Sequence, residues 1–460
     1  MRYWQPIIVI SCLIVCSAGC TVVSAKVTPN LNTNITAMIK TSLPEATVGV
    51  VIQDVQTGMV LYDYHGSKHF LPASTAKLFS AAAALKGLGP NYVYDTGLYY
   101  NPKGGDVAVK FSGDPSLELS MLHGLLKKLQ QTNISVITGN LWIDDSVFQG
   151  PLLGHGWTWD STSWYHAAPI SAIIIDRNQF GITLFPAREI GGAVEVKFEQ
   201  SYPGAKLRSL TARIRSVSLE DSETLCQISA EVDEENNVKL NGCWPISAEP
   251  THLYLAIKNP RVYAKKLILE ALTKLNIKLR GQVKFGKAPD GLVKLAHHES
   301  KPLHELLNPV LGESNNLYAE CLSKSLGAKV FGVGSFKTGT LAMQQVLATS
   351  TGIDFTQARL VDGSGASRYN LVTPLQLSKL LYSMQHEAQL VTYFREALPI
   401  RDNIRAKTGT LHGVSALSGY LTTRSKREII VTIMINHAME KGPVLKKFEN
   451  DLCEYLVENL

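Results

Sequence analysis

The chain is short of charge, of basic blocks and of paired cysteines. Only 18% of its 460 residues are charged, and the net charge of +6 arises from 45 lysines and arginines scattered among 39 acids. No basic block of the kind that grips nucleic acid is present, so that partner class is excluded; the mildly basic surface allows only weak attraction to an anionic wall or membrane. After the first 25 residues no apolar run is long enough to span a bilayer. Of seven cysteines, Cys12, Cys16 and Cys20 lie at the start, which leaves Cys226, Cys243, Cys321 and Cys453. None of these has the C-x-x-C spacing of a zinc or redox site, and the twelve histidines, His297 and His298 included, lack metal-ligand spacing. No metal or organic cofactor is therefore expected. Internal repeats and low-complexity linkers are also missing.

What the chain does have is apolar material, 45% of its residues, enough for sizeable cores in two to four domains. Residues Met1 to Ala25 read as a secretory signal: Arg2, an apolar run from Ile7 to Val15, then small residues. Val23-Ser24-Ala25 offers cleavage before Lys26, and Cys20 after Ser17-Ala18-Gly19 offers lipidation as the alternative. Either way the protein is expected to be exported, to the periplasm. Export favours a disulfide between Cys226 and Cys243, which flank a polar, hairpin-like segment, whereas Cys321 and Cys453 fall on apolar helix faces as buried free thiols.

The densest signal is Leu71-Pro72-Ala73-Ser74-Thr75-Ala76-Lys77 followed by an alanine-rich run to Leu85. Pro72, Ser74 and Thr75 suit the start of a helix, and Gly87 with Pro90 stops it, so a helix is predicted from about Ser74 to Lys86. Residues three apart share a helix face, which places the Ser74 hydroxyl beside the Lys77 amine and the Ser74 N–H at the positive end of the helix dipole. Ser74 is thus a candidate nucleophile.

Two further tetrads strengthen this reading. Glu313-Ser314-Asn315-Asn316 supplies S-x-N at the start of a helix, and Lys407-Thr408-Gly409-Thr410 supplies K-T-G ahead of a strand. A second K-T-G at Lys337-Thr338-Gly339 is a decoy: the residues after it form an amphipathic helix, for which Thr338 or Thr340 is the expected N-cap. After Thr410 the pattern is a hairpin, Val414–Leu421 and Glu428–Ile435, and a strand is what could display a cation beside backbone donors. Lys337 is read as surface. Ser314 and Asn316 could also be simple helix caps, Gly409 a turn, and Asp362-Gly363-Ser364-Gly365 a tight loop.

The two chain ends build one domain. Strands Val48–Asp54 and Met59–Tyr64 precede the Ser74 helix, and the C-terminal hairpin with a last helix near Val444–Leu460 completes an antiparallel sheet with helices on its faces. Between Ser74 and Ser314 lie 240 positions, too many for a connection inside one such domain. The expected division is a catalytic part at 26–89 plus 291–460, an inserted domain at 90–178 plus 257–290, and a small β-rich inserted domain at 179–256.

Together the residues resemble the low-molecular-mass class C penicillin-binding proteins, the D-alanyl-D-alanine carboxypeptidase and endopeptidase family. Serine-type penicillin-recognising enzymes carry S-x-x-K, S-x-N and K-T-G in this order. The likeness extends to Ser112–Leu117, Trp157-Thr158-Trp159-Asp160, Asp176-Arg177-Asn178, Asp362–Arg368 and the run from Lys407 to Tyr420. It implies an α+β, penicillin-recognising serine transferase or β-lactamase-like fold carrying a large two-domain insertion. It also departs twice from the family pattern. The glycine-rich segment usual before K-T-G is missing, which implies a shortened loop, and Asp160 is followed by Ser161 where a second acid is common.

The resemblance implies acyl transfer through a covalent intermediate on peptidoglycan pentapeptides or cross-linked muropeptides, with covalent inhibition by β-lactams. Ser74 would attack the carbonyl of the penultimate D-alanine. Lys77 would act as base, its pKa lowered by burial and by the Lys407 cation, and Ser314 would relay the proton to the leaving amine. Asn316 would orient the substrate carbonyl and Lys77, and the N–H groups of Ser74 and Thr410 would form the oxyanion hole. Lys407, Thr408 and Thr410 would hold the terminal carboxylate, with Gly409 between them, and Asp160 the ammonium of a diamino acid. The rival readings are a β-lactamase, which needs a carboxylate to activate the deacylating water; an esterase, which needs no carboxylate clamp; and a non-enzymatic wall binder, which would have lost its nucleophile.

Overall fold

A computed structural model describes residues 30–199, 209–224 and 226–460; the signal segment, with its Cys20 and Ala25 alternatives, lies outside the described residues. The organising layer is an antiparallel six-stranded sheet in the order Ile400–Arg401, Ile404–Leu411, Val414–Thr422, Glu428–Asn436, Thr47–Asp54, Val60–Tyr64. The chain's first strand therefore pairs with its last, from Thr47 opposite Asn436 to Asp54 opposite Ile429. Both central strands are almost continuously apolar because both faces are covered. Ile433 and Ile435 face Ile35, Phe448 and Leu452 of the terminal helices Asn30–Ser42 and Gly442–Asn459, while Ile430 and Met434 face the other way.

On that second face lies the helix Lys77–Gly87, preceded by a 3-10 turn at Ala73–Ala76. The predicted single helix is thus a tight turn running into a longer helix. Ala81 to Ala84 are all fully buried, which lets the helices Asn316–Phe331 and Phe336–Thr351 approach closely. The decoy glycine sits in this contact: a methyl group on Gly339 would lie 2.5 Å from Ser323 Oγ. Lys337 is exposed, as expected. The cap is neither Thr338 nor Thr340 but Ser335, whose hydroxyl accepts from Thr338 N, because the helix starts at Phe336, earlier than either threonine suggests. Likewise the cap of the Asn316 helix is Asn315, which accepts from Tyr318 N; Ser314 and Asn316 are free of that task.

Between the Lys77 helix and the Asn316 helix the chain makes a mixed five-stranded sheet in the order Val283–Phe285, Leu141–Asp144, Val107–Lys110, Asp95–Tyr100, Val293–Glu299. Two three-stranded sheets follow outward. One is Thr251–Ala256, Gln179–Phe185 and Glu195–Phe198; the other is Ser229–Val232, Val238–Pro245 and Leu210–Val217. The shortened loop before Lys407 is a tight hairpin in which Arg401 pairs with Ile404, turning through Asp402 in the left-handed region at φ 48°. Cys321 and Cys453 are free, Cys321 buried and Cys453 half-buried. Among the described residues no helix is long and apolar enough to cross a membrane.

Cys226 and Cys243 are disulfide-bonded, 17 positions apart, and tie the segment before Ser229–Val232 to the strand Val238–Pro245. Closing a loop of this length stabilises by about 3 kcal/mol. Peptide mapping of non-reduced exported protein should recover the linked pair. Cys226→Ala with Cys243→Ala should lower the stability of the outer β layer by about that amount, read by proteolysis within residues 209–245.

Candidate active site

The Lys77 ammonium is the hub. Its side chain is fully buried, and Nζ donates to Ser74 Oγ at 2.9 Å, to Asn316 Oδ1 at 2.6 Å and to the Ser364 carbonyl at 2.8 Å. The three tetrads and the Asp362 loop thus meet around Ser74. Burial pushes the Lys77 pKa well below that of an ordinary lysine, and the nearby Lys407 cation pushes it further; Asp362 and Glu320 oppose this more weakly.

Ser74 is held in a strained corner. The preceding Ala73 has φ 47°, a region that costs a non-glycine residue about 1–3 kcal/mol. The loop is pinned by Asn436, whose Oδ1 accepts from Leu71 N at 2.7 Å, and by Phe70, which bridges to Val372. Two glycines let neighbouring chains come close enough to hold it. A methyl group on Gly365 would lie 1.7 Å from the Ala73 carbonyl, and one on Gly409 would lie 2.9 Å from Ser74 N. Gly409 therefore brings the strand that carries Thr410 against the Ser74 amide, where two backbone donors could face one oxygen.

Lys407 is 2% exposed and donates to the Thr408 carbonyl at 2.9 Å. Burial, then Lys446 and Arg401, lower its pKa to about 8. Thr408 is half-buried and shares with Ala406 a groove against the C-terminal helix, while Thr410 is exposed. Ser314 is half-buried with φ 59°, a second strained residue at the site. Asn316 Nδ2 donates to the His166 carbonyl at 2.6 Å, which joins the inserted chain to the S-x-N segment. Asp160 is exposed in the turn Trp159–Ser161, close enough to His166 to act on its charge. The backbone N–H groups and hydroxyls of Ser161 and Thr162 all donate to the Thr158 and Trp159 carbonyls, so Asp160 is not spent on capping them.

Two carboxylates of the site lie outside the three tetrads. Glu320, fully buried, accepts from Gly363 N at 2.9 Å and Ser364 N at 2.8 Å, and so sets the Ser364 carbonyl that Lys77 uses. Asp362, also fully buried, accepts from Gly365 N, Ser367 N, Asn370 Nδ2 and, at 2.9 Å, Trp157 Nε1 of the inserted chain. Burial and the Asp362 charge raise Glu320 to about 7. Glu320 stands four residues after Asn316, on the same helix face, and that spacing was the available signal. The Asp362 segment, which could pass for a tight loop, is both that and the floor of the site.

A serine bonded to a buried lysine one turn on, an asparagine from a second helix and a second lysine on the facing strand, all on a helix-covered antiparallel sheet, define a penicillin-recognising active-site serine enzyme. The model of the D-Ala-D-Ala carboxypeptidase 3 (S13) family matches residues 31–456, and the chain belongs to that family, a family of peptidases. It is 31% identical to the D-alanyl-D-alanine carboxypeptidase DacB of Haemophilus influenzae, over 90% of this chain and 92% of that one. The crystal structure of penicillin binding protein 4 (dacB) from Haemophilus influenzae superposes with a TM-score of 0.82 at 30% identity, covering 92% of this chain and 99% of that one. The structure of that protein complexed with a novel β-lactam has a TM-score of 0.78 at 29% identity, with the same coverage. The chain is accordingly a serine-type D-Ala-D-Ala carboxypeptidase in class, with the predicted α+β fold.

The two lysines set a pH window. If Lys77 is the base it must be neutral, so activity should rise as it loses its proton, and if Lys407 is the carboxylate clamp it must be charged, so activity should fall as pH climbs through about 8, where Lys407 deprotonates. The second-order rate of acylation by benzylpenicillin should therefore be bell-shaped, with a basic limb near pH 8. Lys407→Arg should move that limb upward by more than one pH unit; an unmoved limb would assign it to another group.

Proposed function

We propose that Ser74 is the nucleophile and Lys77 its base in the hydrolysis of D-alanyl-D-alanine ends of peptidoglycan stem peptides. The observation that carries this reading is the Lys77 ammonium bonded to three neutral oxygens and to no carboxylate, so that no partner anchors its proton. Ser74 Oγ adds to the penultimate D-alanine carbonyl as its proton passes to Lys77. The C–N bond then breaks with a proton returned to the amine through Ser314, and water completes the cycle by the same route. Asn316 orients Lys77 and the substrate carbonyl. The N–H groups of Ser74 and Thr410 stabilise the oxyanion, worth roughly 3 kcal/mol per donor. Lys407, Thr408 and Thr410 bind the terminal carboxylate, Gly409 permits the approach, and Asp160 attracts the free ammonium of a diaminopimelate-type residue.

The substrates of this reading are pentapeptides and cross-linked muropeptides, with β-lactams as covalent inhibitors, in an exported and periplasmic protein either cleaved after Ala25 or lipidated at Cys20. The three-part division, a catalytic part at 26–89 plus 291–460 with insertions at 90–178 plus 257–290 and at 179–256, belongs to it too. The state of the carboxylates disfavours the β-lactamase rival. Glu320 and Asp362, the buried acids beside the site, are both occupied by backbone N–H groups and so are not available to activate a water.

Fluorescent penicillin should label the wild-type protein and not Ser74→Ala. The adduct should persist, because the opened β-lactam keeps its amine tethered where the hydrolytic water must come; each tenfold slower hydrolysis reflects about 1.4 kcal/mol of barrier. Intact-mass spectra showing decay within seconds and many turnovers would instead mark a β-lactamase.

Asp160→Asn should slow hydrolysis of stem peptides bearing a free diamino-acid ammonium about tenfold relative to the same peptides with that amine acetylated. An equal loss on both would remove Asp160 from recognition.

A further inference from the structure

Continuous with the catalytic cluster is a cavity of about 380 Å³ whose walls are Ser314 and Asn316 on one side and Tyr165, His166 and Arg177 of the inserted chain on the other. It touches the reaction machinery directly, since Asn316 bonds both Lys77 and the His166 carbonyl. Arg177 is displayed there by unusual backbone. Asp176, Arg177 and Asn178 have φ values of 51°, 59° and 48°, three consecutive left-handed residues without a glycine. Runs of this kind survive only where the surroundings over-determine them. Here Asp176 accepts from Leu119 N, and the fully buried Asn178 bonds Ile173 O and Ile175 N, so both flanks are anchored while Arg177 is left to project.

The guanidinium is part-exposed, donates through Nη1 to Glu313 Oε2 at 2.8 Å and lies 5.5 Å from the centre of the Tyr318 ring. Arginine has five N–H donors in a fork suited to a carboxylate, and these contacts do not exhaust them.

We infer that this cavity is a second carboxylate site, in which Arg177 receives the acidic end of the leaving half of a cross-linked muropeptide. The inference rests on the proposed function, in which Ser314 hands a proton to the leaving amine, so the leaving group stands beside this wall. The chemistry of the two substrates then separates them. From a pentapeptide the leaving group is free D-alanine, with one carboxylate, and that one is taken by Lys407. From a cross-linked dimer it is the diamino acid of a second stem, whose side-chain carboxylate, next to the leaving amine, also goes to Lys407, while its α-carboxyl is in the peptide bond to a stem that ends in a further carboxylate. Only the cross-linked substrate can use Arg177, so the cavity biases the enzyme toward endopeptidase action.

The test compares kcat/KM on three substrates, a pentapeptide, a tetrapeptide–tetrapeptide dimer and the same dimer amidated at the acceptor's terminal carboxylate, with fluorescent penicillin labelling as the measure of an intact site. The wild type should cleave the free-acid dimer about tenfold faster than the amidated one. Arg177→Ala should lower the dimer-to-pentapeptide ratio about tenfold and erase the effect of amidation, and Arg177→Lys should restore part of both. Glu313→Gln breaks the ion pair yet keeps the cation, and should preserve the effect of amidation. An unchanged ratio in Arg177→Ala, or a loss in Glu313→Gln equal to that in Arg177→Ala, would overturn the inference in favour of an ion pair that merely holds the Ser314 loop. A wild type that labels and releases D-alanine but ignores dimers would defeat this inference alone, whereas one that does neither would defeat the proposed function beneath it.

Discussion

Everything at the site depends on burying one ammonium group without giving it an anion. Taking a charge out of water costs several kcal/mol in a real protein, and a hydrogen bond to a charged group returns about 1.5–3. The three such bonds that Lys77 donates to Ser74, Asn316 and the Ser364 carbonyl return part of that cost; burial still favours the neutral amine, and the Lys407 charge adds to it. A carboxylate in van der Waals contact would reverse that. Glu320 and Asp362 are kept one bond removed, acting on Lys77 through the loop they hold.

The backbone around Ser74 follows from the same need. To bring a strand, a helix start and the Asp362 loop to a single hydroxyl, the chains must approach closer than side chains allow. Gly365 and Gly409 provide the room, and Ala73 takes on the strain. The inserted chain adds a third wall by two hydrogen bonds, Asn316 to the His166 carbonyl and Trp157 to Asp362. The catalytic sheet and the insertion are therefore coupled at the site itself.

The fold class and the tetrads were legible because their chemistry is local: a serine and lysine one turn apart, a strand pattern after Thr410, an alanine run that can only be a closely packed helix. The helix caps were less so. Thr338 reads as a cap in the sequence, yet its hydroxyl accepts from Ser335 N while Ser335 accepts from Thr338 N, a reciprocal pair that starts the helix at Phe336. Glu320 was hidden for a different reason: a glutamate in a helix reads as solvated, and what buries it is a loop more than 40 residues later. The placement of Arg177 was hidden because a left-handed run of Asp, Arg and Asn has no glycine to announce it.

The pairing of the strand Thr47–Asp54 with Glu428–Asn436 has a consequence for how the molecule comes into being. The central sheet cannot close until Glu428–Asn436 has been made, long after its partner Thr47–Asp54. Contacts of such long sequence separation form late, while the inserted sheets are built mostly from nearer neighbours and can condense first. Ser74 therefore waits on a half-built sheet until Glu428–Asn436 arrives, and a product that stops before Glu428 would carry all three tetrads without the strand that joins the two halves of their sheet.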